Sequence, residues 1–151
     1  MATPTNIPNL PDVSQLDFGA DGKDFDTMSN EECKRFLEVW FSQGNALAGV
    51  ISLALQMQSL TAGAEAAKWA TEGVAADTQL GRLRRMMDVF RADNSTIKPP
   101  TPATVQKVSD LAKVVGTLQA SQAKAEAIAA AIASVFTAAD KVFNASEPVP
   151  T

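Results

Sequence analysis

The chain has 151 residues, 46% of them apolar, and 17 acidic against 13 basic side chains give a formal charge of −4. It holds no histidine and a single cysteine, Cys33. That removes the commonest general base and transition-metal ligand, and it excludes an intrachain disulfide, a thiolate zinc site and the histidine-dependent Ser and Cys nucleophile mechanisms.

Such a length suits one domain with a continuous core. Alanine is abundant, tyrosine is absent and β-branched clusters are scarce, so the expected fold class is all-α. No catalytic residue, cofactor or metal is expected. Glu65, Glu72 and Glu126 are the carboxylates an enzyme would have to use, and their spacing does not separate them from ordinary surface acids.

Residues 1–28 read as an acidic, Pro/Asp/Gly-rich arm, disordered or loosely docked, with Ile7, Leu10, Val13, Leu16, Phe18 and Phe25 scattered without helical period. Residues 1–32 carry seven acidic groups against Lys23 alone, net −6, and the remainder is net +2. An acidic arm on a near-neutral body speaks against nucleic acid as a partner. Asp17-x-Gly19-x-Asp21-Gly22 resembles half a calcium loop, but Gly19 stands where a ligand is needed and Met28 where a bidentate Glu is needed, so a solvated turn is expected. The start has neither the basic residues nor the apolar run of a secretory signal. The expected location is cytoplasmic, with export by a signal-independent route as the alternative.

Ser29-Asn30-Glu31-Glu32 is a capping box that opens a first helix over about 30–60. Phe36, Leu37, Trp40, Leu47, Val50, Ile51, Ala54 and Met57 follow at helical spacing, with Gly44-Asn45 as a point where the helix could kink. Cys33 falls beside Leu37 and Trp40 as a buried thiol. Val39–Ala64 contains no charge, a length able to cross a bilayer, yet Ser42, Gln43, Asn45, Ser52, Gln56 and Gln58 make it polar for that role. Gly44, Ala48 and Ser52, spaced by four, permit close helix packing.

A turn is expected at Thr61-Ala62-Gly63, then a second helix over about 64–93 with a weak point between Gly73 and Thr78. Trp69, Val74, Leu80, Leu83, Met87 and Phe90 form its apolar face. Arg82, Arg84 and Arg85 cluster beside it. They read either as a grip for a phosphate or acidic partner or as a solvated face paired with Asp88, Asp93 or the acidic arm, the second being preferred. Ala92 to Pro100 is a linker ended by Pro-Pro.

Thr101 caps a third helix that reads as uninterrupted over about 102–145, with Pro102 at its first position. Val108, Leu111, Val115, Leu118, Gln122, Ala125, Ala129, Ile132, Phe136, Ala139 and Phe143 form a heptad seam, with Gln122 as a register-fixing polar residue. Residues 147–151 are tail. The expected architecture is therefore an elongated antiparallel bundle of three long helices, the second one being the candidate for a break.

The expected function is a non-enzymatic helical interaction or assembly protein of bacterial type: an adaptor, a structural subunit or a toxin-neutralising partner. It acts through a protein partner or self-association, using Phe36, Trp40, Leu47, Ile51, Arg82, Arg84, Arg85, Val115, Leu118, Ile132 and Phe136. The alternative is an exported, membrane-active effector that inserts residues 39–64 and 127–139.

Overall fold

A computed structural model describes residues 10–118, 120 and 123–148. Among the described residues there are four helices: α1 (Asn30–Leu60), α2 (Gly63–Arg91), α3 (Pro102–Thr117) and α4 (Ala125–Asn144). Two short strands, β1 (Ser95–Ile97) and β2 (Ser146–Pro148), pair antiparallel with Ile97 opposite Ser146.

The capping box at Ser29 forms: its hydroxyl accepts from the Glu32 N–H at 3.1 Å, and Glu32 Oε1 accepts from the Ser29 N–H at 2.9 Å. Glu32 also takes Lys23 Nζ at 2.7 Å. The Lys23 ammonium and the Ser29 N–H together hold its carboxyl down at about 2. From this start α1 continues unbroken through Gly44-Asn45, as its helical period implies. Gly44 faces α2, where a Cβ would meet the Leu80 and Leu83 side chains. One seam of α1 is buried: Phe36, Val39, Gln43, Ala46, Val50, Leu53 and Met57, at alternating steps of three and four.

A two-residue connection turns α1 into α2, with Gly63 at φ +64°, a conformation that glycine adopts without a Cβ penalty. The helices run antiparallel. Trp40 Nε1 donates to the Leu83 carbonyl at 2.9 Å, and a Cβ at Gly73 would lie 3.2 Å from Ala54 Cβ. The weak point of the second helix between Gly73 and Thr78 stays helical; glycine there lets the two helices approach closely. Val74, expected on the apolar face, is 67% exposed. At the far end the Asn94 N–H bonds the Val89 carbonyl and the Asp93 N–H the Phe90 carbonyl, with Asp93 at φ +60°, a Schellman-type stop.

The single long helix expected over 102–145 is instead two. Thr101 caps α3, and α3 lies parallel to α1, with Arg35 Nε on the Pro100 carbonyl (2.8 Å), Gly49 under Val115, and Gln56 Oε1 accepting from the Ala120 N–H at 3.1 Å. By Ala120 the chain has reached the last turns of α1, and a straight continuation would leave its seam without a surface to bury against. It reverses, and α4 returns along α2 and α1, where Gln43 Nε2 donates to the Val135 carbonyl at 3.1 Å. Gln122, the expected register residue, lies outside the described residues; the wholly buried polar side chain on a seam is Gln43.

From residue 10 onward the arm is part of the fold rather than a loose leader. Val13, Leu16 and Met28 are buried in the core, and Thr104 Oγ1 accepts from the Asp17 N–H (2.8 Å) and donates to its carbonyl (2.6 Å). Lys23 exchanges both backbone hydrogen bonds with Ile97, and the Gly19 N–H reaches the Pro99 carbonyl at 2.7 Å. β1 is thus held by the arm on one edge and by β2 on the other. Phe25 and Phe36 both meet Phe90 edge to face, at 5.7 and 5.4 Å between centroids, which ties arm, α1 and α2 together. Asp24, just past the calcium-like run, accepts from the Thr27 N–H and hydroxyl at 2.8 Å, which closes a local turn. Residues 1–9 of the arm and 149–151 of the tail lie outside the described residues.

Candidate interaction surface

Most apolar residues expected to contact a partner are committed to the interior. Phe36, Leu47, Val115 and Ile132 are buried, and Trp40, Ile51, Leu118 and Phe136 are half-buried against the core. The reason is the fold-back of the chain: the seams that would have sought a partner helix find each other across α1, α3 and α4. Cys33 is half-buried against the same core.

The exposed apolar side chains of α1 lie on its opposite side. Leu37, Phe41 and Leu55 are 45%, 63% and 62% exposed. Phe41, Asn45, Ala48, Ser52, Leu55 and Ser59 are all exposed and recur at steps of four and three. This is a second heptad seam, offset from the buried one, and Leu37 extends it by a turn. It carries no charge because the whole run from Val39 to Ala64 carries none. At roughly 1.5 Å per residue the stripe from Leu37 to Ser59 is about 33 Å long. Beside it, a groove of about 260 Å³ opens between α1 and α2, lined by Trp40, Phe41, Gly44, Asn45, Ala48, Leu80, Leu83 and Arg84.

Sequence reasoning passed over Phe41, Asn45 and Leu55. The signal was there as the four-three spacing, but a helix with two seams offers two overlapping periods, and the more apolar one, ending at Met57, drew the assignment. Of the small residues at four-residue spacing, Gly44 faces α2, whereas Ala48 and Ser52 are exposed.

The three arginines do not pair with Asp88, Asp93 or the arm. Among the described residues the ion pairs within 4.0 Å are Lys23–Glu32 and Arg35–Glu31. The Asp93 carboxyl is held above the usual range, first by desolvation and then by Asp26 beside it. Arg84 borders the α1–α2 groove. Arg82 and Arg85 line a different cleft, with the Arg82 guanidinium 4.2 Å from the centre of the Phe143 ring.

Among the described residues no group of three or more His, Cys, Asp or Glu side chains could hold a metal ion, and no helix is long and apolar enough to cross a membrane. Comparison with protein-family models, with curated proteins and with solved structures returned no match.

Proposed function

We propose that this chain is a non-enzymatic helical assembly protein that self-associates through the outer face of α1. The observation that carries the reading is the exposed, uncharged heptad seam Phe41–Asn45–Ala48–Ser52–Leu55–Ser59. A heptad seam is the surface that one helix offers to another helix. Three of its features fit a second copy of the same chain. A two-fold contact brings the same patch of both copies together, and a stripe free of charge meets no like-charge repulsion there. Asn45 is the kind of seam polar residue that fixes register between identical helices. Exposed Phe41 stands next to a groove that the partner's own Phe41 would enter.

The remaining seam positions are small or polar, so the contact buries little apolar surface and its dissociation constant is expected on the order of micromolar. Light scattering coupled to size exclusion, run across a concentration series with and without liposomes, tests this. The expected result is a reversible dimer indifferent to liposomes. Phe41→Glu and Leu55→Glu, both at exposed positions, should give monomers with unchanged helicity. A wild-type chain that stays monomeric throughout the series overturns the proposal, and co-elution with liposomes favours a membrane-active role for the uncharged run.

A further inference from the structure

A second site lies where α2, α4 and the two-stranded ribbon meet, and it shares no residue with the α1 seam. Arg82, Arg85, Met86 and Val89 occupy one face of α2 at helical spacing. Phe143 enters from the last turn of α4, and Ser146 and Pro148 come from the same side of β2. The strand register sets Ser95 of β1 directly opposite Pro148. Together they line a cleft of about 310 Å³.

We propose that this cleft binds a small organic anion: a short apolar body carrying one oxyanion head, a carboxylate or a phosphate ester. Arg82 and Arg85 stand three residues apart on the helix, and neither has a carboxylate within 4.0 Å among the described residues. The Phe143 ring holds the Arg82 guanidinium in place, so little side-chain freedom is lost when an anion arrives.

The independent observation is Ser95. It is 2% exposed, it lines the cleft, and its hydroxyl has no hydrogen-bond partner among the described residues. Gln43, Trp69 and Gln79 also carry an unpartnered buried polar atom, and of these four residues Ser95 is the one that lines the cleft, where a ligand oxygen would complete its hydroxyl. The rest of the lining, Met86, Val89, Phe143 and Pro148, is apolar and suits a hydrocarbon body. A volume at the small end of the range for ligand pockets admits a short chain rather than a nucleotide. The chain as a whole is net −4, so the attraction for an anion is local to this pair of guanidiniums.

The test is a two-dimensional amide NMR titration of the full chain with octanoate and with octyl phosphate, with octanol as the neutral control. Saturable shifts confined to Ser95, Ser146, Met86 and Phe143 are expected, with octanol about tenfold weaker or worse. Whichever anion binds more tightly identifies the head group, carboxylate or phosphate ester. Arg85→Gln keeps a good helix former in an exposed position and should weaken binding about tenfold, while Ser95→Ala should weaken it severalfold. Thermal melts of the variants confirm that they fold. Octanol binding as tightly as octanoate, Arg85→Gln binding like the wild type, or shifts that do not saturate by about 10 mM would each overturn the proposal.

Discussion

Two glycine-to-alanine substitutions, each inside a helix, should act with opposite sign. In a helix interior the exchange gains about 1 kcal/mol, because glycine loses more backbone freedom on folding. A Cβ built at Gly81 of α2 meets nothing within 4 Å, so Gly81→Ala should realise that gain. At Gly49 of α1 the same Cβ would stand 2.6 Å from Val115 Cγ1, where two carbons normally settle at about 3.5–4.0 Å. Val115 is buried and β-branched, and a helical valine has essentially one rotamer, so it cannot swing aside. α1 and α3 must separate, at an overpacking cost of about 1–3 kcal/mol that exceeds the propensity gain. The net expectation is a loss of about 1 kcal/mol, which for a chain of this size lowers Tm by about 2–4 °C, while Gly81→Ala raises it by a similar amount. Urea unfolding followed by circular dichroism measures both. Adding Val115→Ala to Gly49→Ala should remove the clash and give a coupling energy of about 1 kcal/mol in the double-mutant cycle. If Gly49→Ala stabilises as much as Gly81→Ala, α3 does not cross α1 at this point and the packing described above is wrong.

The other stability expectations concern polar groups. Gln43 is wholly buried, with Nε2 on the Val135 carbonyl and Oε1 without a partner among the described residues. Gln43→Met, of similar length and helix propensity, removes an orphan acceptor that costs about 1–3 kcal/mol at the loss of one hydrogen bond worth about 1, so the melting temperature should rise by a few degrees. A fall of that size would show that Oε1 is satisfied. Glu32 is held at about 2, below its ordinary 4.5, so its ionised form favours the folded state. That stability is present above the ordinary value and is lost as pH falls through 4.5 toward 2. Glu32→Gln should therefore melt below the wild type at neutral pH and converge with it near pH 2, as read by thermal melts across that range. Curves that stay parallel to the lowest pH would contradict the Lys23–Glu32 assignment.

What the sequence disclosed and what it hid separate along the line between local and tertiary causes. The capping box at Ser29, the turn at Gly63 and the cap at Thr101 are short-range chemistry, and they appear where their residues stand. The docking of the arm was not legible. It rests on Thr104 and Ile97 reaching back to Asp17 and Lys23, contacts some eighty residues apart that leave no periodic trace. The cleft at Arg82 and Arg85 was half legible. The arginines stood out as a cluster, but Phe143, Ser95 and Ser146 join them only through the end of α4 and the β1–β2 register.

The fold-back between α3 and α4 shows why a sound local reading can fail. Nothing between Leu118 and Lys124 breaks a helix: the segment has no proline or glycine, and the heptad spacing runs through it. Drawn straight, the helix would span about 65 Å, whereas α1, the longest surface available to it, spans about 46 Å and is already reached near its end by Ala120. Continuing would leave Ile128, Ile132, Val135, Val142 and Phe143 in water. All five are buried here, and exposure costs about 1.5–3 kcal/mol for each, on the order of 10 kcal/mol together. Interrupting the helix forgoes about four backbone hydrogen bonds worth about 1 kcal/mol each net, and Gln56 recovers part of that by accepting from the Ala120 N–H. Burial exceeds helix continuity by more than a factor of two, so the chain reverses within one molecule. With that reversal the apolar seams are used up internally, and the seam left exposed is the weaker one on the outer face of α1. On the self-association proposed above, a helical chain that satisfies its strongest seams alone would assemble reversibly rather than obligately.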